Sequence, residues 1–236
     1  MGTNGLRMGV LHVTSTKKPP YRCKVNIRSP WLADLGFSHG SAVTAVPQQD
    51  GFTLTLKNTV NENGKLIHVG LGGDAKNKPA LSLNFANNFS TTGLSGGDFL
   101  AAGYEYGVIT ARKLPDAQKY YVVGARNHGA FLRLNGAWLS NAEFLPDSIA
   151  IVAVDRDCII LQLWNDTASS YGEIVKFARM HKCQILQVQK NQHIIFIDLD
   201  AHILHRAGFE PGCLSGVHYD CGIIKLFKPD LRKLGF

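Results

Sequence analysis

Short alternations of apolar and polar residues recur along this chain. In the segments 23–28 and 52–56 the apolar residues fall at every second position, which is the period of a β-strand with one buried face. Residues 29–37 lie between these segments, begin with Ser-Pro and end with Leu-Gly-Phe, the pattern of a helical turn closed by glycine. A polar turn ending at Gly51 separates residues 42–46 from 52–56. The pattern predicts a strand, a helical turn and a hairpin.

The same order of elements returns three times further along. It recurs clearly over 131–163 and 195–227, and more weakly over 81–109. Trp31 and Trp138 lie 107 positions apart, and Phe37 and Phe144 keep that offset. Gly208-Phe209 repeats Gly36-Phe37 at an offset of 172. The sequence therefore predicts four tandem repeats, with helical turns at 29–36, 136–142 and 201–208, and with Phe37, Phe144 and Phe209 buried.

A short apolar strand precedes each repeat, at residues 11–13, 67–69, 121–123 and 185–188. The polar segment 114–119 is the predicted boundary between two halves, 8–116 with repeats one and two and 117–236 with repeats three and four. One longer helix is predicted at 171–182, between repeats three and four. Its apolar face is predicted from the spacing of Ile174, Phe177, Ala178 and His181.

This unit resembles the AbrB/MazE/SymE swapped-hairpin superfamily. The resemblance rests on the strand, the turn ending in "LGF" or "AGF", and the hairpin closed by glycine, over nearly the whole chain. Trp31-Leu32 and Trp138-Leu139 look specifically like the SymE-like branch, and Gly97-Asp98 looks like the "GD" of AbrB-type members. In that family two units exchange hairpins and close a small barrel, usually as a homodimer. The resemblance implies a mainly β protein in which four units form two swapped-hairpin barrels, an internal pseudo-dimer in each half.

Charge adds a preference for an anionic partner. The chain carries a formal net charge of +7, of which residues 1–118 hold +5 (12 Lys and Arg, 7 Asp and Glu) and residues 119–236 hold +2 (13 and 11). A basic half suits nucleic acid, although charge of this size also keeps proteins soluble. The five cysteines form no CxxC pair, and their odd number argues against a disulfide framework, so reduced thiols in the cytoplasm are expected. Apolar stretches are strand-sized, and neither a membrane span nor a secretory signal is expected.

The strongest basic stretch lies in the first repeat. In the superfamily, DNA contacts come from basic residues around the first strand and the loop before it, and the corresponding residues here are Lys17, Lys18, Arg22, Lys24 and Arg28. If Val25 and Ile27 point inward, Lys24, Asn26 and Arg28 share the outer face. Phosphate contacts are the functional interpretation, and a solvated edge strand protected by lysines is the alternative.

The other repeats offer fewer basic positions. Repeat two places Lys76 and Lys78 in the equivalent loop, and repeat three supplies Arg126 and Arg133. Repeat four instead puts Asp198 and Asp200 at outward positions, so the second half is predicted to bind nucleic acid less well.

Metal and enzyme chemistry are the weaker alternatives. The spacing of His202, His205, Cys213, His218 and Cys221 matches no known zinc finger, and the repeat accounts for each position without metal. No cofactor, metal or catalytic motif is predicted, although His12, His68 and Lys18 could serve a metal-independent ribonuclease.

Three functions follow as hypotheses. The first is a DNA-binding transcription regulator or nucleoid-type binder of bacterial or phage origin. The second, implied by the SymE resemblance, is a toxin acting on RNA. The third is a protein-interaction module such as an antitoxin or inhibitor.

Overall fold

The computed structural model describes residues 7–15, 23–28, 32–56, 65–71, 79–84, 92–127, 129–166 and 168–235. These residues form two compact units, one within Met1–Pro115 together with Asp230–Phe236, and one over Asp116–Pro229. The fold is mainly β, as predicted. Among the described residues, no helix combines the length and apolar character needed to cross a membrane.

The first unit is one antiparallel sheet that nearly closes on itself. Its strand order is β5-β3-β4-β9-β8-β1-β2-β7-β6. Only Val69 separates β5 from β6, so the two ends of this order are almost continuous in the chain and the sheet is barrel-like. The strands are β1 (Arg7–Ser15), β2 (Cys23–Arg28), β3 (Ala42–Gln48), β4 (Gly51–Thr55), β5 (Lys65–His68), β6 (Gly70–Leu71), β7 (Pro79–Asn84), β8 (Phe99–Glu105) and β9 (Val108–Lys113).

The second unit repeats this arrangement in two sheets. Their orders are β10-β18-β19-β14-β13-β15 and β11-β12-β17-β16. Val123 alone separates β10 from β11, and Val188 alone separates β15 from β16. Each of these two broken strands therefore contributes to both sheets. The elements are β10 (Lys119–Val122), β11 (Gly124–Arg126), β12 (Gly129–Asn135), α1 (Trp138–Asn141), β13 (Ile149–Asp155), β14 (Cys158–Leu163), α2 (Tyr171–Met180), β15 (Gln184–Gln187), β16 (Gln189–Asn191), β17 (Ile194–Leu199), α3 (Ala201–Arg206), β18 (Leu214–Asp220) and β19 (Ile223–Phe227).

Four buried valines make the same backbone contacts in the two units. Each valine N–H donates to, and each valine carbonyl accepts from, a turn that precedes a hairpin distant in the chain. The N–H···O distances are all 2.8–3.0 Å. These contacts are Val13 with Gly97 and Asp98, Val69 with Gly40 and Ser41, Val123 with Gly212 and Cys213, and Val188 with Asp147 and Ser148.

The three predicted phenylalanines are fully buried, which confirms that prediction. The N–H groups of Phe37, Phe144 and Phe209 donate to the carbonyls of Leu32, Leu139 and Leu204 respectively, each at 2.9 Å. The preceding residues, Gly36, Glu143 and Gly208, all have positive φ, the left-handed conformation that ends a helical turn. The helical turns themselves appear as turns over 32–36, as α1 and as α3. Trp31 lies outside the described residues, so its equivalence to Trp138 stays a prediction.

Helix α2 begins where predicted, at a capping box made by Ser170 and Glu173. Ile174 and Ala178 are buried. Phe177 is 37% exposed and His181 is exposed, so the predicted apolar face is buried only at Ile174 and Ala178. The Phe177 and His181 rings pack against each other with their centroids 4.3 Å apart.

Candidate nucleic-acid interface

The outward face of β2 carries the basic residues that the sequence singles out. Val25 and Ile27 are buried in the first core, whereas Asn26 and Arg28 are exposed and Lys24 is partly exposed. The predicted alternation is therefore confirmed. Lys17, Lys18, Arg22, Lys76 and Lys78 lie outside the described residues, and their proximity to this face stays a prediction.

The neighbouring strands place uncharged residues beside these basic positions. On one side Thr14 of β1 pairs with Lys24, and the Thr14 hydroxyl donates to the Lys24 carbonyl at 3.0 Å. On the other side the β2–β7 register sets Lys24, Asn26 and Arg28 opposite Asn84, Ser82 and Ala80. The cross-strand register thus supplies no carboxylate directly opposite either basic residue. Basic side chains on an outward strand face suit contact with phosphate groups.

The corresponding stripe in the second unit has an internal counter-charge. Arg133 of β12 pairs in register with Asp198 of β17. Its guanidinium donates two hydrogen bonds to that carboxylate, with N···O distances of 2.6 and 2.7 Å. These bonds raise the pKa of Arg133 above its ordinary value. The Arg133 charge on this face of the second unit is therefore locally neutralised.

Aromatic rings pack beside the arginines on the same sheet. The Arg133 guanidinium lies 4.2 Å from the centroid of the Phe196 ring and 5.9 Å from that of Phe131. Arg126, exposed on edge strand β11, lies 5.3 Å from the Phe131 centroid. These cation–π contacts hold both guanidinium groups against the sheet surface. The sequence reasoning missed Phe131 and Phe196, although both lie at alternate positions in apolar strands, where an outward ring is a detectable signal.

Asp200, which the sequence also placed outward, has a structural role. Its carboxylate accepts the Ile203 N–H at 3.0 Å and caps the start of α3. The two carboxylates therefore have different uses, an ion pair at Asp198 and a helix cap at Asp200.

The possible metal ligands do not converge. Within the described parts of the chain, no group of three or more His, Cys, Asp or Glu residues is arranged to hold a metal ion. His205 contacts Glu210 at 3.3 Å, whereas His218 stacks on Phe227 with the ring centroids 5.2 Å apart. All five cysteines are free thiols.

Comparisons with known proteins do not add to this picture. No protein-family model, curated protein or solved structure matches this chain.

Proposed function

We propose that this chain is a nucleic-acid-binding protein made of four tandem swapped-hairpin repeats. Repeats one and two form the first barrel, and repeats three and four form the second. The observation that carries the functional proposal is the contrast between two equivalent strand faces. Lys24 of β2 faces the uncharged Asn84 in register, whereas Arg133 of β12 is held by Asp198.

The strand pairing supports the hairpin exchange. In the first barrel β1 of repeat one pairs with β8 of repeat two, and β5 of repeat two pairs with β3 of repeat one. The strand that precedes each repeat therefore adds to the hairpin of the other repeat. In the second barrel β10 pairs with β18 and β15 with β13 in the same reciprocal way. The four valine contacts described above recur at these crossings. Such exchange covers strand edges that a single unit would leave open, and tandem linkage raises the effective concentration of the partner unit.

Within each proposed barrel the two repeats are related by a pseudo-two-fold axis, so the residue pair at matching positions can be compared between the barrels. Arg133 and Asp198 occupy matching positions of their units and pair with each other, and Asn26 and Ser82 do so in the first barrel. The first barrel thus has a neutral pair at its centre with Lys24 and Arg28 on either side of Asn26. Its sequence also contributes Lys17, Lys18, Arg22, Lys76 and Lys78 to the same predicted face. Duplex DNA is the target that we propose, and a cytoplasmic transcription regulator or nucleoid-type binder is the corresponding role.

A salt titration tests the proposal. Removing one basic side chain that contacts a phosphate should make the slope of log affinity against log salt shallower by roughly 0.9. The triple variant Lys17→Gln, Lys18→Gln, Arg22→Gln should therefore reduce the slope for duplex DNA by about 2–3 and weaken binding to all sequences similarly. The pair Lys24→Gln, Arg28→Gln should reduce it by about 1–2.

The matched control for the pair Lys24→Gln, Arg28→Gln is Lys190→Gln with Lys225→Gln, which removes two exposed charges from the second compact unit. It should leave the slope nearly unchanged. If the triple variant stays folded and binds duplex DNA like the parent protein, the basic stripe is only a protected edge and a protein partner becomes the better hypothesis. Incubation with RNA, with and without chelator, separates binding from the toxin alternative, because only a ribonuclease would cleave it.

A further inference from the structure

A small pocket lies in the second unit between the end of β14 and helix α2. Its volume is about 280 Å³. It is lined by Ile151, Gln162, Leu163, Trp164, Asn165, Asp166 and Phe177. The connection that forms it runs over residues 164–183 and is longer than the corresponding connection over 56–64 in the first unit. The pocket is therefore a feature of this longer connection and not of the repeating pattern.

Two aromatic rings form adjoining walls of this pocket. The ring centroids of Trp164 and Phe177 are 5.0 Å apart and their planes are inclined at 63°. The Trp164 indole N–H donates to the main-chain carbonyl of Asp166 at 3.1 Å, which fixes the indole on its own short segment. This is an edge-to-face contact, and Phe177 also packs against His181 with the ring centroids 4.3 Å apart. Both Trp164 and Phe177 still line the pocket, where aromatic π-surface attracts an organic cation.

The carboxylate of Asp166 supplies a negative charge at the same place. It accepts hydrogen bonds from the Ser169 hydroxyl and from the Ala168 N–H, the latter at 3.0 Å. These bonds, that from Ser169 foremost, hold the pKa of Asp166 below its ordinary value, so the group is ionised at neutral pH. Among the described residues that line the pocket, none is Lys, Arg or His. An anionic ligand would meet Asp166 without a compensating cation among the described lining residues.

We propose that this pocket binds a compact alkylammonium cation, with Trp164 and Phe177 against the alkylated nitrogen and Asp166 as the counter-charge. The volume lies just below the range of about 300–1,000 Å³ for small-molecule sites, which suits a trimethylammonium group better than a larger ligand. The amides of Gln162 and Asn165 provide hydrogen-bonding groups for a polar substituent of the ligand. The inference is independent of the nucleic-acid proposal, because no residue of the pocket belongs to the basic stripe.

Calorimetric titration of the full-length chain with choline tests the proposal. The neutral carbon isostere of choline, 3,3-dimethylbutanol, has the same shape without the charge. We expect saturable choline binding and an affinity for the isostere at least about fivefold lower, since a partly desolvated cation–π contact has that order of strength. Titration with a peptide carrying trimethyllysine distinguishes a free cation from an alkylated protein side chain as the source of the ligand, because the peptide binds more tightly than choline only in the second case.

Two variants localise the binding. Asp166→Asn removes the charge but keeps an acceptor oxygen, and because Asp166 is exposed the fold should be retained. Trp164→Leu removes one ring. Trp164→Leu should lower choline affinity about tenfold. Asp166→Asn should lower it by up to about fivefold, because an ion pair at an exposed position is weak. The matched control, Tyr171→Leu, alters an exposed ring on α2 that does not line the pocket and should bind choline like the parent.

Three outcomes would contradict the proposed alkylammonium site. Absence of saturable binding of both choline and the peptide at millimolar concentration would overturn the proposal. Equal affinity for choline and its neutral isostere would show an apolar cavity without cation recognition. Parent-like choline binding by both Asp166→Asn and Trp164→Leu would place the ligand elsewhere.

Discussion

At the scale of single residues, the same local solution closes three of the helical turns. A left-handed residue stops the turn, and the following phenylalanine returns to the core with its N–H bonded to a leucine carbonyl five residues earlier. Glycine fills the left-handed position at Gly36 and Gly208, where it carries little strain. Glu143 takes that position in the third turn, which shows that the hydrogen-bonded turn and the buried ring determine the conformation more than the residue type does.

Truncating the buried rings should be strongly destabilising. We expect Phe37→Ala, Phe144→Ala and Phe209→Ala each to lower the free energy of unfolding by about 3–5 kcal/mol, because each leaves a cavity in a closed core. Urea denaturation measures this directly. Leu145→Ala is the matched control, since Leu145 follows Phe144 but is exposed, and it should change stability by less than about 0.5 kcal/mol. Losses below about 1 kcal/mol at all three phenylalanines would mean that these rings are not the packing centres of their turns.

Tyr120 should make the second unit sensitive to alkaline pH. Burial, with a smaller contribution from Asp116, raises the pKa of Tyr120 to about 12. The folded state therefore holds the phenolic proton more tightly than the unfolded state, so the stabilisation is complete below the unfolded pKa near 10 and is lost as pH rises toward 12.

Thermal unfolding between pH 9 and 12 tests this direction. Tyr120→Phe should make the alkaline fall in stability shallower, and Tyr106→Phe, at an exposed position, should not. Burial also raises the pKa of Tyr104 and of Tyr121, so part of the alkaline fall should persist in Tyr120→Phe. A steeper fall in that variant would contradict the assignment.

At the scale of elements, α2 depends on the sheet beneath it. A ten-residue helix is marginal in isolation, and here Ile174 and Ala178 bury its inner stripe. The capping box adds local support, because the Ser170 N–H donates to the Glu173 carboxylate at 2.6 Å and the Ser170 hydroxyl oxygen accepts the Glu173 N–H at 3.4 Å. The helix and the pocket beside it should therefore loosen together when the cap is removed.

Ser170→Ala should lower the free energy of unfolding by about 1 kcal/mol, and Ser170→Gly by only a few tenths. Native-state hydrogen exchange should show the loss concentrated in the amides of residues 172–180. If Ser170→Ala affects all amides of the second unit equally, α2 does not open as a separate element and the local account of its stability is wrong.

At the scale of the whole molecule, the two compact units share one pairing pattern but differ in charge. The β12–β17 pair holds an ion pair whose side chains are 42% and 25% exposed, and the matching β2–β7 positions are uncharged residues. An ion pair so exposed contributes little to stability. Its larger consequence is that the Arg133 charge on this face is compensated within the sheet.

Under the proposed function, Asp198→Asn should increase nucleic-acid binding by the second unit. The substitution leaves the Arg133 charge uncompensated, and the slope of log affinity for duplex DNA against log salt should steepen by up to about 0.9. Asp157→Asn, an exposed carboxylate in the β13–β14 turn, is the matched control for net charge. If both variants change binding equally, the effect belongs to total charge and not to this face.

The sequence by itself determined the local part of this structure. Alternation at Val25 and Ile27 predicted a half-buried strand, and Gly-Phe spacing predicted the turns and their buried rings, because these features depend on residues close in the chain. The basic residues of the β2 face were found in the same way. Their companions Lys17, Lys18, Arg22, Lys76 and Lys78 remain predictions.

Only the tertiary structure decided which faces meet. Arg133 and Asp198 are 65 residues apart, and each was correctly assigned to an outer face, but their ion pair exists because β12 and β17 are neighbours. The pocket at Trp164 likewise needs a helix packed beside a strand end, and the exposure of Phe177 depends on how much of that helix the sheet covers. Periodicity states which side of an element is apolar. The free energy of pairing between distant strands selects its neighbour, and that choice sets the charge and shape of the surface.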